Sequence, residues 1–185
     1  MIIYSMNYII RDDYLIIQGN KSPDNNLLNI INKYNKIKTS VAYDYPLDNL
    51  PPTVTEIEFD VYFNQKIDNL PYTLVKLTFS YFSLFNQTID FLPQNLEYLG
   101  LYGCFNQKID NLPNNLKYLL LGYCFNQNID NLPDSITHLY LGNSFNQVIS
   151  KFPKNLIVLG IYHSYNFLLD IQSLTNNYNI KLEIY

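Results

Sequence analysis

One block of residues recurs through this chain at a nearly fixed interval. It is clearest as Phe105-Asn106-Gln107-Lys108-Ile109-Asp110-Asn111-Leu112-Pro113, followed by Asn114-Asn115-Leu116-Lys117-Tyr118-Leu119-Leu120-Leu121. The block returns at Phe125 and, with small changes, at Phe63, Phe85 and Phe145. The steps Phe85 to Phe105, Phe105 to Phe125 and Phe125 to Phe145 are each 20 residues, and Phe63 to Phe85 is 22. A weaker copy opens at Tyr43, with Leu47, Asp48, Asn49, Leu50 and Pro51 in register, and another fades after Tyr165-Asn166. About six rungs thus occupy residues 41–164. A unit this short cannot bury its apolar side alone, so successive copies must stack.

The second half of each rung shows how they stack. Apolar residues fall at positions 1, 4 and 6: Leu96, Leu99, Leu101; Leu116, Leu119, Leu121; Ile136, Leu139, Leu141. The same spacing gives Val54, Ile57, Phe59; Leu74, Leu77, Phe79; and Leu156, Leu159, Ile161. This is the L-x-x-L-x-L core of a leucine-rich repeat, whose last positions alternate as a short strand. Strands that open the same turn of a coil lie parallel to one another. The first half carries Leu-Pro at constant offset, and proline cannot donate to a ladder, so the return path is short 3-10 or extended chain. The expected fold is an α/β solenoid, mostly β, a right-handed coil with a parallel sheet on one face.

The Phe-Asn-Gln-x-Ile-Asp-x-Leu-Pro block resembles the FNIP (IP22) repeat, a leucine-rich-repeat variant abundant in social amoebae and in large DNA viruses of amoebae. The resemblance covers roughly Tyr43 to Ser164, and the Phe63 rung alone has the family's common length. It implies a protein-interaction solenoid, sometimes fused to an F-box for adaptor work in ubiquitin transfer, and no enzymatic chemistry.

The ends read as caps. In residues 1–40, Tyr8-Ile9-Ile10 and Tyr14-Leu15-Ile16-Ile17 flank Arg11-Asp12-Asp13 as a β-hairpin would. Ser22-Pro23-Asp24 then reads as N-cap, first-turn proline and acidic first turn of a helix running to about Lys36. In residues 165–185 a short helix through Asn177 is followed by Ile180, Leu182 and Ile184 alternating as an edge strand, with Lys181 and Glu183 facing out.

Charge and composition narrow the function. A net charge of −4 and a pI near 5.0 leave no basic stripe for phosphates, which argues against nucleic acid. The start, Met1 to Asn7, lacks a basic segment and a long apolar run, and no stretch approaches a membrane span. A cytoplasmic protein is expected, in the host cytoplasm if the source is a virus. Two cysteines, Cys104 and Cys124, occupy equivalent places on adjacent rungs and are expected as reduced, buried thiols. No catalytic residues, metal or cofactor are expected: His138 faces outward, His163 lies beyond a strand end, and neither stands at a triad or metal spacing.

Two features remain. Asn64, Asn86, Asn106, Asn126 and Asn146 share one offset, as does Asn166, and are expected to bridge adjacent turns as a structural ladder. Asp48, Asp68, Asp90, Asp110 and Asp130 also align and are expected to bond backbone N–H groups within their own Asp-x-Leu-Pro turns. Positions 3, 5 and 7 of the strands form the exposed face of the sheet. An acidic start (Glu56, Glu58, Asp60) gives way to a tyrosine-rich centre with glycines between the rings. Tyr98, Tyr102, Tyr118, Leu120, His138, Tyr140 and Tyr162 are therefore the candidate binding patch for an unidentified protein or peptide. Self-association of the solenoid is the alternative.

Overall fold

A computed structural model describes residues 8–19 and 21–185; the segment Met1 to Asn7, read above for a leader, lies outside the described residues. The elements in order are β1 (Tyr8–Arg11), β2 (Tyr14–Ile17), α1 (Asn25–Ile31), β3 (Lys36–Thr39), β4 (Glu56–Phe59), β5 (Lys76–Phe79) and β6 (Tyr98–Leu101). There follow β7 (Tyr118–Leu121), β8 (His138–Leu141), β9 (Val158–Ile161), α2 (Leu168–Asn177) and β10 (Lys181–Ile184). All ten strands form one sheet in chain order. β1 and β2 are antiparallel, and every later pair is parallel.

The fixed interval sets the register. Ile37, Ile57, Leu77, Leu99, Leu119, Leu139, Leu159 and Leu182 stand opposite one another from strand to strand. All but the last are buried. Behind the strands a column of rings runs through Phe63, Phe85, Phe105, Phe125, Phe145 and Tyr165, stacked at 5.8 to 6.3 Å between centroids. The return side is extended chain broken by turns. In each, the Leu-Pro carbonyl accepts the N–H three residues on, as Pro113 does from Leu116 at 3.1 Å and Pro71 from Leu74 at 3.0 Å.

The asparagine row is a hydrogen-bond ladder. The Oδ1 of Asn86 accepts the Asn106 N–H at 2.9 Å, that of Asn106 accepts Asn126 at 2.8 Å, and that of Asn126 accepts Asn146 at 2.9 Å. Asn64 serves Asn86 in the same way, and Asp44 opens the row by accepting the Asn64 N–H at 2.8 Å.

Four sequence expectations are corrected. The aspartates do not close their own turns: Asp48, Asp90 and Asp110 accept from the side chains of Asn69, Asn111 and Asn131 on the next rung. Asp130 accepts the N–H of Ser150 there. The N-cap of α1 is Asp24, whose Oδ1 accepts the Leu27 N–H at 3.0 Å, not Ser22, and α1 ends at Ile31. The residues beyond it are then free to form β3, which carries the parallel ladder into the region assigned to the cap. Finally, Cys104 is exposed and Cys124 half-buried, because the strands have ended by that point in each rung.

Candidate binding face

Alternation buries positions 4 and 6 of each strand and leaves positions 3, 5 and 7 on the opposite surface of the sheet. Position 3 makes a continuous row. Lys36 lies 5.8 Å over the Tyr14 ring, and its Nζ is 3.4 Å from Glu56 Oε1. Lys76 lies 5.1 Å over the Tyr98 ring. Tyr98 then stacks on Tyr118 at 5.8 Å, and Tyr118 on His138 at 4.4 Å. His138 Nδ1 is 2.9 Å from Thr137 Oγ1, which holds the ring as a stacking plate. The acidic start read from the sequence is neutralised, since Lys36 and Lys38 of β3 pair with Glu56 and Glu58.

Positions 5 and 7 build something different. At the C-terminal ends of the strands, Tyr81, Tyr102, Leu120, Tyr140, Tyr162 and Tyr185 surround a cavity of about 180 Å³. Burial, and then the neighbouring Tyr98 hydroxyl, push the Tyr102 phenol up. Burial, and then the Tyr81 hydroxyl beside it, do the same to Tyr162. Tyr81 follows β5 and Tyr162 follows β9, four strands apart, or about 19 Å on a flat sheet. Both rings nevertheless line the same cavity, so their side chains lean toward each other across this face. Tyr185 donates to Glu183 Oε2 at 2.8 Å, and burial together with that carboxylate pushes its phenol up to about 12. Gly160 makes room for two of the rings: a Cβ there would lie 2.4 Å from Tyr140 Cδ1 and 3.0 Å from Tyr185 Cε2.

The seven candidate residues therefore divide into two adjoining features. Tyr98, Tyr118 and His138 stack in the position-3 row, whereas Tyr102, Leu120, Tyr140 and Tyr162 line the cavity. Sequence reasoning missed Tyr81, Tyr123 and Tyr185. Tyr81 sits on the two residues that lengthen one rung, where no offset pointed to it. Tyr185 was legible: it follows Leu182 by three residues, as Tyr162 follows Leu159. Beyond the Tyr81 and Tyr123 rings a second hollow, about 320 Å³, reaches Phe82, Cys104 and Cys124. Burial, and then Cys104, push the Cys124 thiol up.

Among the described residues no group of three or more His, Cys, Asp or Glu is placed to hold a metal ion. No helix among them is long and apolar enough to cross a membrane.

Stacked turns, each opening with an L-x-x-L-x-L strand and closing through a Leu-Pro return, define a leucine-rich-repeat-like solenoid. The FNIP Repeat family matches residues 43–82, 85–124 and 125–159, and this chain belongs to that family. Among solved structures it is similar to the giant-virus protein CroV588, described as a novel circular LRR protein, at 38% identity and a TM-score of 0.62. That likeness covers 69% of this chain and 20% of the other, so the chain spans about a fifth of that protein's length. No curated protein sequence matches the chain significantly.

Proposed function

We propose that this solenoid is a non-enzymatic, intracellular binding module that holds another protein on its tyrosine-rich sheet face. The observation that carries the reading is the continuity of that face. The Tyr98–Tyr118–His138 stack and the tyrosine cavity adjoin on one surface, with Tyr81, Phe82 and Tyr123 more than half exposed beside them. Contiguous aromatic surface of this kind marks interaction sites, and tyrosine is enriched among the residues that dominate binding energy. In the test, Tyr118 and Tyr140 are both replaced by serine and partner capture from source-cell lysate is compared with that of the parent chain. Both side chains are partly exposed, so circular dichroism stays unchanged while capture is lost. Undiminished capture overturns the reading.

Self-association is the second reading, and the two outer strands favour it. Ile9 and Ile10 on β1 and Ile184 on β10 are exposed on the two outermost strands of the sheet among the described residues. Light scattering that rises with concentration, with no partner added, would establish it. Tyr8 to Thr39 forms a hairpin, one helix and a strand that continues the sheet, so the adaptor alternative rests on the family resemblance alone.

A further inference from the structure

The tyrosine cavity is selective in a way that an aromatic surface in general is not. Its volume of about 180 Å³ lies below the roughly 300–1,000 Å³ of ordinary small-molecule pockets and suits one inserted side chain. Six of the twelve residues that line it are tyrosines, whose ring faces are negative and attract cations. No lysine or arginine lines it among the described residues. Elsewhere on the same surface the rings of Tyr14 and Tyr98 already carry lysines of this chain, so cation–ring pairing is the habit of the face. Among the described residues no cation stands over a ring of the cavity, although Lys181 adjoins Tyr140 at its edge.

The charge beside the cavity has the matching sign. Glu183 accepts from the Tyr185 hydroxyl and adjoins Tyr140. Its present cation, Lys181 at 2.7 Å, has a side chain 68% exposed, and exposed pairs of this kind are weak enough to exchange. The chain's net charge of −4 favours a basic partner. Guanidinium fits better than ammonium here, because it is planar, stacks on aromatic faces and is less strongly hydrated.

We infer that this cavity receives one arginine side chain from a basic segment of the partner protein, an inference that rests on the binding reading above. The test follows the tyrosine ring resonances of the full chain by NMR. Nα-acetyl-arginine amide is titrated against Nα-acetyl-citrulline amide, its neutral isostere. The arginine compound shifts the Tyr102, Tyr140 and Tyr185 rings saturably, and the citrulline compound binds roughly three- to thirtyfold more weakly. Equal binding of the two overturns the inference in favour of an apolar slot, and so does binding by neither.

Variants sharpen the result. Tyr140→Phe keeps the ring and keeps the preference for arginine, whereas Tyr140→Leu keeps the bulk and loses it. Gly160→Ala drives a methyl group into the Tyr140 and Tyr185 rings and abolishes the arginine shifts, with circular dichroism confirming the fold. The two readings fail separately. If the Tyr118/Tyr140 serine variant loses its partner but arginine amide neither binds nor competes, the face stands and the cation site falls. If arginine amide binds while that variant still captures its partner, the cation site stands and the face falls.

Discussion

Asn106 uses one oxygen twice: its Oδ1 accepts the Asn126 N–H at 2.8 Å and the Gln127 side-chain N–H at 3.1 Å. The recurrence of asparagine at one offset made this row legible in the sequence, but not which half of the amide does the work. The structure puts the load on the acceptor. Asp44, which has no side-chain donor, fills the same role at the head of the row toward Asn64 and Gln65. Replacing Asn106 by alanine strands the Asn126 N–H and leaves the Gln127 side chain only the Asn106 backbone carbonyl at 3.1 Å. Asn106→Ala is therefore expected to lower stability by about 1–3 kcal/mol in urea unfolding. Asn106→Asp keeps the acceptor and costs less at neutral pH. Its advantage over alanine narrows as acid protonates the new carboxylate, because the remaining carbonyl oxygen still accepts but more weakly than the anion. An aspartate variant no better than alanine at neutral pH would show that the –NH₂ group matters after all.

At the scale of the element, the period-20 rungs were readable because their strands repeat one pattern, and β3 was missed because it departs from it. Tyr34, Ile37 and Thr39 hold the 1-4-6 spacing, yet a threonine stands where the later strands carry leucine, isoleucine or phenylalanine. That threonine is fully buried, and its Oγ1 accepts the Asp60 N–H at 2.9 Å, so a polar residue is satisfied inside an apolar column. The signal available was Ile37, 20 residues before Ile57. The glycines show the opposite difficulty, since identical letters serve different ends. A Cβ on Gly142 would lie 2.0 Å from the Gly122 carbonyl oxygen, which is backbone of the neighbouring rung and cannot swing away. A Cβ on Gly160 meets only the rings of Tyr140 and Tyr185 at its closest approaches. Gly142→Ala is therefore expected to cost about 1–3 kcal/mol or more by forcing two turns apart, and Gly160→Ala distinctly less. Thermal unfolding of the two variants checks this, and the reverse order would mean the rings are held as rigidly as the backbone.

Across the whole molecule, the ring column joins the rungs into one cooperative array, and buried tyrosines stand in its first and last rungs. Tyr165 ends the column, 4% exposed, with its hydroxyl donating to the Gln147 carbonyl at 2.7 Å. Burial pushes that phenol up to about 12, and it does the same in direction for Tyr43, the buried residue that opens the first rung. An ionised phenolate is poorly tolerated in these places, whereas the unfolded chain ionises its tyrosines near the ordinary value of 10. A folded-state value raised above the unfolded one contributes stability that is complete below the lower value and is lost as pH rises through the higher. The thermal midpoint should thus show no loss from these groups below pH 10 and fall between pH 10 and about 12. Tyrosinate absorbance should resolve into an early exposed class and a late class that titrates as the fold opens. Because each rung is stabilised through its neighbours, ionising an end tyrosine loosens the adjoining turns first. Hydrogen exchange at high pH should accordingly lose protection around β3 and β9 before β6 and β7. Tyr165→Phe gives up one hydrogen bond but removes the ionisable group, so its alkaline loss at the β9 end should be smaller than that of the parent chain. If all the phenols titrate together at their ordinary value with the fold intact, the ends of the column are open to water, and the stacking that joins the rungs stops short of them.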